Sequence, residues 1–530
     1  MPSGLHIPAW RDRLTSYHDQ QLCDFLEFGW PIGYTKSSPP QSSSKNHGSA
    51  LARPDIIDAF LAKECSLGAT CGPFSANPLA TPLITSPLQI ATSRSGKPRV
   101  VLDLSLPAGS SVNSGIPKDT YLNEPFSLRL PGTDALQALI RIKGRGCHLF
   151  KKDLSRAYRQ LRVDPRDYSY LGFTHNGRLY FDIAPPFGLR SATMMCQRTT
   201  SAVTFMFSSL GFACTNYIDD FGGAEVPANS TQAFTALDHL LLDLGLQSSP
   251  DKDSPPSTSM VFLGVLFNTD DMTISVTPER VSDLLSQCQA ALSTSSLSVA
   301  NLRSLLGVMS FVTACVRPAR IFMNGLLNGL RTNLHLRFCP ISDDLKSDLR
   351  WWCTFLPQYN GTSLIKTDPW INHPHYLSTD ACLTGAGAFF NGFFFHAPFP
   401  EPVLAEFGND INTLELISIM AALKLWGSHL RGQRFILQCD NANSVQALNT
   451  GRSRVPGMQA CLREIWLLSA LHEFELRAEH IPGRENTIAD HLSRWHLAPS
   501  HEAHFTSLTA DLATTHVHCP PALFNFDFHM

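Results

Sequence analysis

Short apolar runs of strand type begin near Thr85 and recur as RVVLDLS, CHLFKKDL, RLYFDIA and MVFLGVLF, with helical stretches such as STQAFTALDHLLLDLGL between them. That mixture predicts an α+β body over residues 51–272. A Ser/Pro stretch, SSPDKDSPPSTS, interrupts it near residue 250. From about Thr277 to Leu356 a helical period runs with few strand signals, so residues 273–370 are expected to be a helical region. A new series starts near His375. HYLSTDACLTGAGAFF and RFILQCD read as strands, TLELISIMAALKLWGSHL and PGMQACLREIWLLSAL as helices, and together they predict a separate, smaller α/β domain over 371–497. Residues 36–50, KSSPPQSSSKNHGSA, are short of apolar positions, so 1–50 is expected to be an arm ending in a flexible linker. Residues 498–530 are His-rich and aperiodic and are expected to form an irregular tail.

Composition changes this picture little. A chain of 530 residues with 43% hydrophobic and 16% charged residues can fill several cores. The opening MPSGLHIPAWRDR lacks the apolar centre of a signal peptide, and no apolar run is long enough to span a bilayer. The 14 cysteines are scattered singly, without a C-x-x-C pair, which argues against a disulfide framework or a zinc ribbon. The expected setting is intracellular, cytoplasm or nucleus, not secreted and without a membrane partner. A net charge of -3 means that any nucleic-acid partner is met by local basic patches.

The stretch NYIDDF sets Asp219 and Asp220 side by side between apolar residues. A hairpin turn explains the pair alone, since Asn216 and Gly222 to Gly223 flank it. The pair gains interest because Asp153 closes the strand CHLFKKDL, and three carboxylates can hold two divalent cations about 4 Å apart. Such a cluster is costly without a cation, and oxygen ligands suit Mg²⁺. With these motifs in this order over most of residues 85–270, the sequence resembles the reverse transcriptases of retroelements. YIDD resembles the Y-x-D-D box, which implies Asp219, Asp220 and Asp153 as metal-site acids. RSGKPRVVLDLS resembles the fingers strands, which implies Arg99 with Arg94 or Lys97 as triphosphate ligands. PPFGLRSATMMCQ resembles the P-F-G-L-x-x-A box and implies nucleotide-side roles for Phe187, Gly188 and, on the following helix, Gln197. Tyr158 matches the residue that blocks a ribose 2'-hydroxyl. Lys252 and FLGV, Phe262 to Val265, resemble the lysine and primer-grip boxes. The chain departs from the family at Pro185-Pro186, at Thr193 and at Arg156.

Four further acids stand at strand and helix positions: Asp380, Glu415, Asp440 ending FILQCD, and Asp490 in TIADHLSR. Converging, they offer a second site for two Mg²⁺ ions, suited to hydrolysis. Their order and contexts, with HIPGRENTIADHLSR, resemble the ribonuclease H domain over roughly residues 375–495. His480 reads either as a mobile catalytic histidine or, preferably, as a strand-end histidine bonded to backbone. Asn443 and Asn486 are candidates for contacts to a hybrid's backbone or 2'-hydroxyls. Arg141, Lys143, Arg145, Lys151, Lys152, Arg159 and Arg162, then Arg317, Arg320, Arg331 and Arg337, are expected to line a duplex path or form a solvated face. His516, His518 and Cys519 offer zinc donors or belong to a disordered tail.

The resemblance therefore implies a right-hand polymerase of α+β class, with fingers and palm over 51–272 and a helical thumb and connection over 273–370, followed by an α/β ribonuclease H-like domain. The segment LRSLLGVMSFVTACVRPARIFMNGLLNGLR and the opening PAW…FLEFGWPIGY are similar to the tyrosine-recombinase retrotransposons, the DIRS and Ngaro group. The expected function is RNA-directed and DNA-directed DNA synthesis with ribonuclease H activity. The implied cofactor is Mg²⁺, two ions per site, or Mn²⁺. The implied partners are RNA template, DNA primer, RNA-DNA hybrid and deoxynucleoside triphosphates. The rival is a decayed relative that binds nucleic acid without catalysis.

Overall fold

A computed structural model describes residues 4–43, 45–92, 96–359, 361–366, 368–373 and 376–526. The chain divides into two compact units, Met1–Leu263 and Gly264–Met530. Among the described residues no helix is long and apolar enough to cross a membrane.

The first unit is built on an antiparallel four-stranded sheet in the order Ser254–Ser257, His148–Asp153, Asp220–Glu225, Cys214–Tyr217. Its inner strand, DFGGAE, is thin because rings fill the space above it: a Cβ at Gly223 would collide with Phe150, which is fully buried, and one at Gly222 with Phe262. These two glycines serve packing inside a strand. The turn they were expected to flank is instead the two residues Ile218 and Asp219. Helices Ala192–Ser209 and Pro227–Asp243 pack on the sheet, and Met195, Val203, Phe207, Leu237 and Leu241 supply the core between them. Three smaller sheets accompany it among the described residues: Leu88–Thr92 with Pro98–Leu102; Thr70–Phe74, Arg178–Asp182 and Gly172–His175; and Thr120–Tyr121 with Glu124–Pro125.

The N-terminal residues differ from expectation. Helices Ile7–Arg13 and Leu22–Phe28 bury Trp10, Leu22 and Leu26, and Trp30 and Ile32 follow them into the same core. Trp30 is bridged to Val163, and Trp10 donates through Nε1 to the Leu244 carbonyl at 2.9 Å. The Ser/Pro segment is tied down as well, with the amides of Gln41 and Ser43 donating to the carbonyls of Ser110 and Thr85. The physical reason is apolar content: the low-complexity residues 36–50 are bracketed by aromatic anchors whose burial outweighs the local preference for disorder.

The second unit carries a six-stranded mixed sheet in the order Glu475–His480, Arg434–Cys439, Leu377–Ala381, Gly385–Phe390, Phe393–Pro398, Thr515–His516. Leu377–Ala381 runs antiparallel to Gly385–Phe390 and parallel to Arg434–Cys439, and all five of its residues are buried. Helix Ile411–Trp426 is apolar almost all round, as a helix covered on both sides must be, and packs on that strand and on helix Pro456–His472. Gly385 and Gly387 let helix Thr487–Ser493 lie directly on the sheet, since a Cβ at Gly387 would collide with Leu492 and Ser493. Helices Pro278–Leu292, Val299–Thr313, Asn324–Thr332 and Asp343–Gln358 belong to this same unit, around stacked Phe322 and Trp351, whose ring centres are 3.6 Å apart.

The residues expected to be an irregular tail form helix Pro499–Leu508 and the edge strand Thr515–His516. Phe505 packs on Phe394, His516 stacks on His396, and Cys519 and Phe524 are buried in the domain core. Sparse apolar residues, rather than a periodic face, anchor this segment, which is why periodicity missed it.

Candidate active sites

The sheet register places Asp220 directly opposite Asp153, and the turn carries Asp219 beside them, its carbonyl accepting from the Leu154 amide at 2.9 Å. Asp153 is buried, and its Oδ1 accepts from Lys252 Nζ at 2.7 Å. Lys151 Nζ lies 2.9 Å from Asp220 Oδ1. Burial pushes both Asp219 and Asp220 above the usual carboxylate range, and each is pushed further by its neighbouring acids. The hydrogen bond to Asp153 raises Lys252 in turn. A cluster of oxygen donors that raise one another's affinity for protons, held by two ammonium groups, suits a hard divalent cation.

The turn itself is strained. Ile218 is β-branched yet has φ +55°, a region L-residues with branched side chains avoid. Helix Ala192–Ser209 grips it from below: Gln197 Oε1 accepts from the Ile218 amide and Thr200 Oγ1 donates to the Ile218 carbonyl, each at 2.8 Å. Asn216 Nδ2 donates to Thr200 Oγ1 at 2.8 Å and completes the network. Gln197, taken from the resemblance as a nucleotide-side residue, is thus buried beneath the turn, and its amide is spent on backbone.

Beside this cluster Tyr158 is half-buried. Its hydroxyl lies 3.0 Å from Thr193 Oγ1 and its ring centre 5.5 Å from that of Phe187, while the Arg99 guanidinium sits 5.9 Å from the Phe187 ring. Thr193, a departure from the family pattern, therefore has a partner in Tyr158. Gly188 has φ +108°, and a Cβ there would overlap the Leu102 carbonyl, so glycine is what lets this loop close on strand Pro98–Leu102. Arg99 is exposed on that strand and Lys97 is exposed just before it; Arg94 lies outside the described residues. Arg156 takes a left-handed φ of +51° and pairs with Glu64.

In the second unit Asp380 is buried on the central strand and its Oδ2 accepts from Ser493. Burial, with Asp440 and Asp490 nearby, pushes it up to about 7. Glu415 lies on helix Ile411–Trp426, which starts at the Asp410 cap; burial and Asp380 raise its carboxyl well above the ordinary range. Its Oε2 is buried without a hydrogen-bond partner. Asp440 follows strand Arg434–Cys439, with Asn441 capping the next helix, and Asp490 pairs with Arg494 at 2.7 Å. Among the described residues one set of three ligand-type side chains closes to within 4.8 Å, namely Glu415, Cys439 and Asp440. The first unit's acids are not so tightly grouped, and Asp380 and Asp490 stand outside that set, although both act electrostatically on Glu415. An orphaned buried carboxylate oxygen facing further acids fits a divalent cation. Cys439 was not singled out in the sequence, because a cysteine ending an apolar run reads as core.

His480 Nε2 lies 3.1 Å from the Asp440 carbonyl, Asn486 Nδ2 donates to the Thr379 carbonyl, and Asn443 Nδ2 donates to Asn412. Several residues expected to face a duplex have internal partners. Lys152 is buried between Asp238 and Asp253, Lys143 pairs with Glu225, Arg159 pairs with Asp182, and Arg162 donates to the Gly68 carbonyl. Nearby acids, and for Arg162 a backbone carbonyl, are invisible to a count of basic residues. Arg320, Arg331 and Arg337 are exposed.

No protein-family model matches the chain. It is similar to the retrovirus-related Pol polyprotein from transposon 297 of Drosophila melanogaster, 23% identical over 454 residues, which cover 82% of this chain and 38% of the relative. It is similar to polyprotein P3 of Commelina yellow mottle virus, 24% identical over 411 residues, covering 76% of this chain and 20% of that polyprotein. The chain therefore spans well under half the length of both curated relatives. Among solved structures it resembles the foamy viral protease-reverse transcriptase dRH in complex with double-stranded DNA, at 14% identity and a TM-score of 0.50, over 90% of this chain and 82% of that one. The chain is thus related to polyproteins of a retrotransposon and a virus, and its fold is that of a reverse transcriptase polymerase followed by a ribonuclease H-like domain.

Proposed function

We propose that this chain copies RNA or DNA template into DNA in its first unit and hydrolyses the RNA strand of the resulting hybrid in its second. The observation that carries the reading is the presence of two separate carboxylate clusters, built around buried Asp153 in one unit and around buried Asp380 and Glu415 in the other, within a reverse transcriptase fold. The solved relative holds double-stranded DNA, which supports a duplex as this chain's partner. Template, DNA primer, RNA-DNA hybrid and deoxynucleoside triphosphates are the substrates of this reading, and an intracellular setting, cytoplasm or nucleus, follows from them. Within the reverse transcriptases, the helical segment at residues 302–331 favours the tyrosine-recombinase group.

In this reading Asp153, Asp219 and Asp220 hold the cations of synthesis, and Asp380, Glu415, Asp440 and Asp490 those of hydrolysis. When bound, Mg²⁺, or Mn²⁺ in its place, supplies the positive charge that activates the attacking oxygen and steadies the leaving one. The chain's own groups do the rest. Lys97 and Arg99 attract the triphosphate, with Arg94 as a further candidate on the same segment. Phe187 and Tyr158 form the floor under the incoming sugar, where the Tyr158 ring, pinned by Thr193, leaves no room for a 2'-hydroxyl. Gly188 brings backbone close to the nucleotide, and Gln197 acts through the turn that carries Asp219. Lys252 neutralises Asp153 through its hydrogen bond to Oδ1, and with a cation bound by the three acids its ammonium would be available to phosphate charge.

Primer extension on an RNA template with Mg²⁺, and cleavage of a labelled hybrid by the same protein, test the proposal. Deoxynucleotides are incorporated and ribonucleotides rejected. Asp219→Asn abolishes extension and spares cleavage, and Asp440→Asn does the reverse. Both activities surviving both substitutions would overturn the assignment.

A further inference from the structure

We propose that Cys439 makes the ribonuclease H-like cluster a mixed oxygen and sulfur site that takes one thiophilic divalent cation, of the Zn²⁺ and Cd²⁺ class, in competition with Mg²⁺. The proposal rests on the reading of that cluster as a cation site and adds to it a ligand that the four acids do not include. Strand Arg434–Cys439 buries Phe435, Leu437 and Cys439 completely. The last of these ends the strand with a thiol where its two predecessors are hydrocarbon. Its Sγ lies with one oxygen each of Glu415 and Asp440 inside a 4.8 Å circle.

Two further observations point to a ligand. Glu415 is only 3% exposed, and its Oε2 has no hydrogen-bond partner. The Asn441 amide donates to Cys439 Sγ at 3.4 Å, so the sulfur already serves as an acceptor, as a coordinating thiolate does. With Zn–S near 2.3 Å and Zn–O near 2.1 Å, donors around one tetrahedral ion stand roughly 3.3–3.7 Å apart, so closing the trio takes side-chain shifts of about 1 Å. As the metal–sulfur bond forms, the thiol proton leaves to solvent. Thiolate selects Zn²⁺ over Mg²⁺, whereas the first unit's cluster offers carboxylate oxygen from Asp153, Asp219 and Asp220. A thiophilic cation therefore arrests hydrolysis at concentrations that leave synthesis running.

The test titrates the full chain with Cd²⁺ alone and follows the thiolate-to-cadmium charge-transfer absorption. One equivalent saturates the band in wild type. Cys439→Ser removes it, while Cys461→Ser, which alters another fully buried thiol of the same unit, keeps it. Glu415→Gln, with the thiol intact, weakens the titration by ten- to a hundredfold, roughly the scale seen when a metal site loses a supporting group. A band that survives Cys439→Ser, or an affinity unmoved by Glu415→Gln, overturns the proposal. Hybrid cleavage in Mg²⁺ without a Cys439-dependent band also overturns it and leaves the ribonuclease reading standing. A Cys439-dependent band without hybrid cleavage upholds the mixed site and removes the ribonuclease reading.

Discussion

Removing the acceptor of Gln197 separates the geometry of the polymerase turn from the stability of the protein. Ile218 at φ +55° stores about 1–2 kcal/mol relative to an ordinary conformation. The Gln197 and Thr200 bonds to its amide and carbonyl hold it there. In Gln197→Met the half-buried Ile218 amide loses its acceptor, at a cost of about 1–3 kcal/mol. Relaxing the turn recovers the strain, so the net loss of stability is about 1 kcal/mol. The displaced turn carries Asp219 with it, and misplacement by about 1 Å costs on the order of a hundredfold in rate. Steady-state extension on a primed template should show kcat down on that scale, nucleotide KM changed far less, and hybrid cleavage by the same preparation unchanged. Adding Ile218→Gly, which tolerates positive φ without support, should restore part of kcat, so the double variant outperforms Gln197→Met alone. Equal losses of extension and cleavage, or a double variant no better than the single, would refute the reasoning.

Gly188→Ala forces a Cβ against the Leu102 carbonyl at an unfavourable φ, and nucleotide KM should rise at least about tenfold with the melting temperature lowered by a few degrees. Asp380, raised to about 7 by burial, ionises in the folded state at higher pH than in the unfolded chain. Without divalent cations, the stabilisation from its protonated form is therefore complete below about pH 4 and lost as pH rises to about 7. The loss has a ceiling of about 4 kcal/mol, and hydrogen exchange of the Leu377–Ala381 amides should accelerate across that window, less so in Asp380→Asn. Gly387→Ala pushes helix Thr487–Ser493 off the sheet, and hybrid cleavage should fall by about a hundredfold or more while extension persists, measured on the same preparation.

Apolar runs carried most of the architecture. The strand ending at Asp153, the helix holding Glu415 and the strand leading to Asp440 are each long enough for local period to declare them, and the α+β polymerase fold with its α/β partner holds as expected. What escaped depends on partners distant in sequence. Gln197 looks like a nucleotide-side residue until its amide is found under a turn 21 residues away. Lys152 and Arg159 look solvated until Asp253 and Asp182 are placed beside them. Cys439 is indistinguishable from core by period, and the final segment docks through isolated Phe505 and Phe524 rather than a stripe.

The docking of the first helix against Leu244 also sets a timetable for synthesis. Trp10 and Arg13 find Leu244 and Asp243 only after some 230 further residues have been made. At about 5–20 residues per second, Trp10 waits on the order of 10–50 s beside the ribosome without its Leu244 partner. Within the first unit this helix is among the last elements to settle, and shielding by a chaperone would matter most there.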